Sequence, residues 1–181
     1  MVYVMLANGF EKIEALTVVD LLRRAEIETK TVSIDDSRVA GSHGITVYAD
    51  LLWHEINERK IDAIVLPGGM PGTKNLLNFA PLCELILKMH EKKKYLCAIC
   101  AAPMILGQLG ILNNMNVTCY PGFEKELKGA ILSAGKAVSC ENIITSRGAG
   151  TAVEFGLTII AKLQSRELAE QIGDQIQLNK G

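Results

Sequence analysis

The stretch YLCAICAAPMILG, residues 95–107, decides the architecture. Tyr95 to Ile99 is a short apolar run without a helical period and reads as a buried strand. Ala101 to Leu109 reads as the helix that follows it, with Cys100 on the junction. A strand that runs straight into a helix is half of a βαβ unit. The same alternation extends upstream. Ile61 to Leu66 is a strand ending in Pro67-Gly68-Gly69, and Leu82 to Met89 is helical, with Leu82, Leu85, Ile86 and Met89 on one stripe. Val2 to Ala7 is a strand bounded by Asn8-Gly9. From Glu11 the period changes, and Ala15, Val18, Val19 and Leu22 predict an amphipathic helix ending near Arg24. Thr29 to Ile34 is the next strand, and Val39 to Tyr48, holding Gly41 and Gly44, is a small β-prone excursion.

Downstream, Val117 to Cys119, Ala137 to Ser139 and Ile143 to Ser146 are shorter strands. Thr151 to Leu163 is a helix, with Thr151 and Glu154 at capping-box spacing, and Glu167 to Leu178 is a terminal helix. Strands separated by helices of about 10–15 residues predict a mostly parallel sheet with helices on both faces. Ligands of such sheets bind beyond the carboxyl ends of the strands. Four strand ends therefore matter: Asn8-Gly9, Pro67-Gly68-Gly69, Cys100 and Arg147-Gly148.

The 181 residues suit one domain, residues 1–181, with no internal repeat, linker or low-complexity tract. Hydrophobic residues make up 49%, and the mean hydropathy is +0.21, which excludes a disordered chain. Nineteen Lys and Arg balance twenty Asp and Glu, so no basic excess points to nucleic acid. No run of 18 apolar residues predicts a membrane span, and the first residues carry no export signal. Five Cys in such a chain are expected as reduced thiols in a cytoplasm.

Cys100 is the first chemical candidate. A thiol at a helix N-terminus meets unpaired N–H groups and the positive end of the helix dipole, which favour a thiolate. The flanking Ala98, Ala101 and Ala102 fit a sharp strand-to-helix turn. That is the logic of a nucleophile elbow, with a buried structural Cys as the competing reading. Cys97 and Cys100 form C-x-x-C, but three extended residues put their Cα atoms roughly 10 Å apart. A disulfide needs less than about 7 Å, which argues against a redox pair.

Glu14 is the second candidate, one helical turn past the first strand end, on an apolar stripe with Val18, Leu21 and Ala25. Such a carboxyl either snorkels to solvent, which the sequence favours, or is buried and held protonated as a hydrogen-bond donor. Gly68 and Gly69 either offer N–H groups to an oxyanion or make a plain turn. Gly148-x-Gly150 lacks the third glycine of a dinucleotide fingerprint, and no phosphate loop exists. His43, His54 and His90 share no ligand spacing, so no metal is expected and each reads as a surface residue.

Four motifs in this order, NGFEKIEA, VLPGG (65–69), AICAAP (98–103) and TSRGAGTAVEFGL (145–157), resemble the ThiJ/PfpI superfamily over nearly the whole chain. The branch resembled is that of the parkinsonism-associated deglycase and its bacterial relatives. The resemblance implies a flavodoxin-like, class I glutamine-amidotransferase-like sandwich and a homodimer. It implies a Cys100 thiolate, supported by a protonated Glu14, with the N–H groups of Gly69 and Ala101 binding an oxyanion. Tyr120, Gly68 and Arg147 are accessory positions. The implied activity is glutathione-independent and cofactor-free conversion of a small aldehyde, methylglyoxal, to lactate. An alternative is a redox sensor that uses the same thiol without turnover. A thiamine-precursor role rests on the ThiJ label alone.

Two departures qualify that pattern. Relatives acting on glyoxals often carry His before the Pro of the segment after the elbow, and here that position is Tyr120 in CYPGFE. Tyr donates a hydrogen bond but is a poor base near neutral pH, with an ordinary pKa of about 10. Peptidase-type members have His directly after the nucleophile. Here it is Ala101, which disfavours Cys-His proteolysis.

Overall fold

The computed structural model describes residues 1–178; residues 179–181, the end of the expected 1–181 domain, lie outside the described part. In chain order the strands and helices are β1 (Val2–Leu6), α1 (Lys12–Arg24), β2 (Thr29–Ser33), β3 (Arg38–Ala40), β4 (Thr46–Tyr48), β5 (Leu51–Leu52) and β6 (Ala63–Leu66). They continue with α2 (Gly72–Leu77), α3 (Ala80–Glu91), β7 (Tyr95–Ile99), α4 (Pro103–Gln108), β8 (Asn116–Val117), β9 (Ile131–Leu132) and β10 (Ala137–Cys140). β11 (Ile143–Ser146), α5 (Ala152–Leu163) and α6 (Arg166–Gln175) complete the described chain.

Seven strands form one sheet in the order β10-β11-β7-β6-β1-β2-β5. Every pairing in it is parallel except β10 with β11, which is antiparallel. This is the mostly parallel sheet that the alternation predicts and the flavodoxin-like α/β architecture that the family resemblance implies.

The central strands are buried on both faces and divide their side chains between two cores with period 2. Tyr3, Met5, Ile64, Leu66, Leu96 and Ala98 join one core with Leu76 of α2, Ile86 of α3 and Ile105 of α4. Val2, Val4, Leu6, Val65, Cys97 and Ile99 join the other with Val18 of α1, Phe155 of α5 and Ile172 of α6. α5 lies close on α1: a Cβ at Gly156 would sit 2.6 Å from Leu21 Cδ1. Phe155 has no solvent exposure. Phe155→Ala is expected to cost about 3–5 kcal/mol in denaturant unfolding, because lost burial adds to a cavity.

The excursion between β2 and β5 is a β3–β4 hairpin whose tip docks on the start of α1. Three short elements escape the periodicity reading: α2, β5 and β9. Each has six residues or fewer, too few for a period to register.

The expected Thr151–Glu154 capping box does not form. Thr151 Oγ1 accepts from Gly148 N at 3.2 Å and lies 2.7 Å from Ser146 Oγ, while Glu154 pairs with Lys136. The hydroxyl holds the loop before α5 instead of capping the helix. No helix among the described residues is long and apolar enough to cross a membrane.

Candidate functional site

The carboxyl ends of β1, β6, β7 and β11 meet at one place. β7 ends and the chain reverses toward α4 at Cys100, whose φ is +65°. A side chain in that region carries a strain of order 1–3 kcal/mol, and the surrounding backbone must hold it there. The holding bonds are present. Cys100 N donates to Ser146 O at 2.9 Å, and Cys100 O accepts from Tyr120 N at 2.8 Å. The backbone N–H groups of Gly69 and Ala101 hold the Cys100 thiol down in pKa, and the Glu14 carboxyl pushes it up.

Gly68 explains the convergence. Its N–H donates to Glu14 Oε2 at 2.7 Å. A Cβ added there would stand 2.6 Å from Cys100 Cβ and 2.8 Å from Glu14 Oε2, so only glycine leaves room for the thiol and carboxyl to meet. Gly69 has φ +88°, and a Cβ there would strike Glu11 N at 2.5 Å. The turn after β6 thus packs against the backbone that starts α1.

Glu14 is 1% exposed, which overturns the snorkelling reading that the sequence favoured. An apolar stripe alone does not reveal which partners wait inside. Burial lifts its carboxyl to about 7, against the hydrogen bonds from Cys100 and Gly68. With Glu14 ionised, burial and the neighbouring charge push the Cys100 thiol up to about 12, while the two backbone N–H groups lower it. The expected low-pKa thiolate therefore depends on where the pair keeps its proton.

The raised carboxyl has a consequence for stability. Its folded-state pKa lies above the ordinary 4.5, so burial is favourable while it is protonated and costs more as pH rises through about 7. Thermal melts at pH 5 and pH 8.5 should show wild type losing stability, up to about 3 kcal/mol at ~1.36 kcal/mol per pKa unit. Glu14→Gln should lose much less. Equal losses in the two proteins would contradict the buried carboxyl.

The start of α1 is fastened by Glu11 and Lys12, whose partners lie on the hairpin. Glu11 is the N-cap: its Oε1 accepts from Ile13 N at 3.2 Å, and its Oε2 accepts from Ser42 Oγ at 2.8 Å. Lys12 is 7% exposed, with Nζ on Ser42 O, 3.3 Å from His43 Nδ1 and 3.5 Å from Glu11 Oε1. The hairpin tip and α1 are some thirty positions apart in sequence, so no local pattern announces this lock.

Tyr120 is brought to the site and Arg147 is not. Thr118 N donates to Thr145 Oγ1 at 2.9 Å, tying the segment before Tyr120 to β11. A Cβ at Gly148 would lie 3.2 Å from Tyr120 Cδ2 and 4.0 Å from Cys100 Sγ, so ring and sulfur flank the same glycine. Arg147 instead lines a neighbouring cleft of about 300 Å³ with Thr118, Cys119, Glu124 and Ser133. Its guanidinium acts on Cys119, whose thiol burial and Glu124 push up to about 11. Cys97 is fully buried in β7, and all five Cys are free.

His43 and His54 lie at the surface, and His90 is half-buried, with an unpartnered buried Nδ1. No group of three or more His, Cys, Asp or Glu is gathered for a metal ion among the described residues. A cleft of about 330 Å³ at the amino end of the sheet, lined by Asp62, Lys94, Tyr95 and Lys162, includes none of the predicted site residues. The thiol of Cys100, the buried Glu14 carboxyl and the Gly68 turn converge instead at the carboxyl end.

The chain is similar to known proteins in sequence and in fold. Residues 1–162 match the model of the DJ-1/PfpI family. Protein dj-1beta of Drosophila melanogaster is 30% identical over 172 residues, 93% of this chain and 92% of that protein. Protein DJ-1 homolog B of Arabidopsis thaliana is 34% identical over 94% of this chain. The chain spans less than half the length of the two Arabidopsis relatives, 40% and 45%. A Pyrococcus abyssi protein named as a deglycase is 33% identical over 71% of this chain and 77% of its own. Among solved structures, oxidized Toxoplasma gondii DJ-1 superposes with a TM-score of 0.92 at 34% identity, covering 97% of both chains.

Proposed function

This chain belongs to the DJ-1/PfpI family, and from that premise we propose that it converts small α-oxoaldehydes, with methylglyoxal as the model substrate, to 2-hydroxy acids through Cys100. The observation that carries the reading is the convergence of Cys100, the buried Glu14 carboxyl and Ala101 N around Gly68, where a Cβ would lie 2.6, 2.8 and 3.1 Å from them. The relative named as a deglycase supports the same direction of chemistry.

The pair holds one proton between about 7 and about 12. Charge on the sulfur receives two backbone N–H groups and a carboxylic O–H. Charge on the carboxylate receives the Gly68 N–H and a weak thiol donor. Three donors against one good one support a reading with the negative charge on sulfur and the proton on Glu14.

The thiolate adds to the aldehyde carbon, forming the S–C bond as the carbonyl pair moves onto oxygen. The Gly69 and Ala101 N–H groups shift their support to that oxygen, which takes the Glu14 proton. The resulting carboxylate removes the proton on C1 and returns it to C2, and the hydroxyl proton on the C1 oxygen passes to the C2 oxygen. C1 is thereby oxidised to an acyl thioester and C2 reduced to an alcohol, so no external redox partner is required. Water hydrolyses the thioester, releasing lactate and the thiol. Tyr120 borders the reacting centre with its ring, beside Gly148, and takes no part in these proton transfers.

The same reading takes the protein as a homodimer in a reducing cytoplasm. Ile13, Leu16, Ile45 and Tyr48 leave apolar surface exposed on α1 and the docked hairpin, which suits a second copy. Five free thiols suit a reducing compartment.

The test is purified protein with methylglyoxal and no glutathione. Lactate should form in step with methylglyoxal loss, and the rate should rise with pH through about 7 as the pair loses its first proton. A folded, reduced protein that makes no lactate overturns the reading. One observation favours redox sensing as the second reading: the Toxoplasma relative was captured oxidized, and Cys100 here is half-buried rather than sealed. Mild peroxide should then add oxygen to Cys100 ahead of the other four Cys, as tryptic mass spectrometry would detect.

A further inference from the structure

The mouth of the site has a chemistry of its own. Tyr120 is 50% exposed although its ring packs on Gly148, the glycine that borders the Cys100 sulfur. Phe123 meets that ring edge-on, with centroids 6.5 Å apart. Met70 directly follows Gly69, whose N–H reaches the sulfur, and it is 39% exposed. Two large apolar side chains thus present surface to water near the half-buried thiol, Met70 by its place in the turn after β6 and Tyr120 by its packing on Gly148.

Charge points the same way. Among the described residues, Glu14 is the ionisable side chain that acts on the Cys100 thiol, with no Lys, Arg or His beside it among the causes of its shift. Lys12 is committed to Ser42 and Glu11, and Arg147 lines the cleft around Cys119. A carboxylate or phosphate on a substrate would meet a negatively charged pair with no cation acting on the thiol among the described residues.

We propose that Met70 and Tyr120 form an apolar mouth over Cys100 that admits neutral α-oxoaldehydes with an apolar or aromatic substituent and rejects anionic aldehydes. This deepens the oxoaldehyde reading and rests on it. An aromatic substituent gains by an edge or offset contact with Tyr120 and by covering the flexible thioether of Met70. An anionic substrate is rejected by uncompensated charge, a repulsive element in the specificity.

The experiment has two arms. In the first, phenylglyoxal and glyoxal are compared as substrates of wild type and Met70→Ser/Tyr120→Ser. The double variant should lose about tenfold or more in kcat/KM for phenylglyoxal and less than about threefold for glyoxal. Equal losses for both substrates overturn the proposal. The second arm needs no turnover. Iodoacetamide, N-benzyliodoacetamide and iodoacetate alkylate Cys100, each displacing iodide, and the Cys100 peptide is quantified by mass. Relative to a small neutral thiol, wild-type Cys100 should prefer iodoacetamide over iodoacetate by about tenfold. The benzyl reagent should gain over iodoacetamide only when Met70 and Tyr120 are present. Iodoacetate reacting as fast as iodoacetamide, or a benzyl preference that survives the double substitution, overturns the mouth. Absence of turnover with every oxoaldehyde overturns the proposed activity instead, while alkylation still decides the mouth.

Discussion

Cys100→Ser is expected to lower kcat/KM for methylglyoxal by about 10³-fold or more, with the fold retained. Serine is nearly isosteric and keeps the contacts that hold this position: Cys100 N on Ser146 O and Tyr120 N on Cys100 O. What is lost is an ionisable nucleophile. A thiol can exchange its proton with Glu14, whose carboxyl sits near 7, whereas a hydroxyl cannot do so at any accessible pH. The N–H groups of Gly69 and Ala101 still face the site, so substrate can bind without forming a covalent adduct. Cys119→Ser is the matched control. That thiol is 6% exposed, lines the neighbouring cleft and does not touch the reacting centre, so turnover should stay within about twofold of wild type. Lactate assays on both variants, with circular dichroism to verify folding, decide the matter. If Cys100→Ser keeps more than a tenth of wild-type turnover, another group is the nucleophile.

The way these residues come together explains how much of the molecule was legible in advance. The buried strands were readable because Val2 to Leu6, Ala63 to Leu66 and Tyr95 to Ile99 are apolar on both faces and are punctuated by glycine or by a change of period. Cys100 was readable for the same reason, since a junction between a strand and a helix is itself a local pattern. Glu14 was legible as a candidate but not in its state. Its burial is set by Gly68 N and the Cys100 sulfur, which are 54 and 86 positions away and approach only when β1, β6 and β7 lie side by side. Arg147 shows the converse limit. It belongs to the same motif as Gly148, yet the guanidinium and the glycine serve different clefts. The Lys12–Ser42–Glu11 lock was invisible because helix and hairpin each look ordinary until they are docked.

Gly68→Ala carries the second large effect, and it isolates space from backbone freedom. Gly68 is not among the residues with positive φ, so alanine meets no backbone penalty there. The obstacle is the added methyl, 2.6 Å from Cys100 Cβ, 2.8 Å from Glu14 Oε2 and 3.1 Å from Ala101 N. Part of that crowding is backbone, which cannot rotate aside. Overpacking of this kind costs about 1–3 kcal/mol of stability. The larger effect falls on chemistry. Displacing Glu14 from the sulfur by even a fraction of an ångström removes the proton partner, and misplacements near 1 Å cost about 10²-fold in rate. Two neighbours calibrate the result. Gly69→Ala adds a Cβ 2.5 Å from Glu11 N at φ +88°, so steric and conformational penalties combine and its loss of stability should exceed that of Gly68→Ala. Gly150→Ala meets nothing within 4 Å and should shift stability by no more than about 0.5 kcal/mol. Thermal melts and lactate rates on the three variants test the ordering. A folded Gly68→Ala protein with wild-type turnover would mean that the thiol and the carboxyl need not meet at Gly68 for the reaction to proceed.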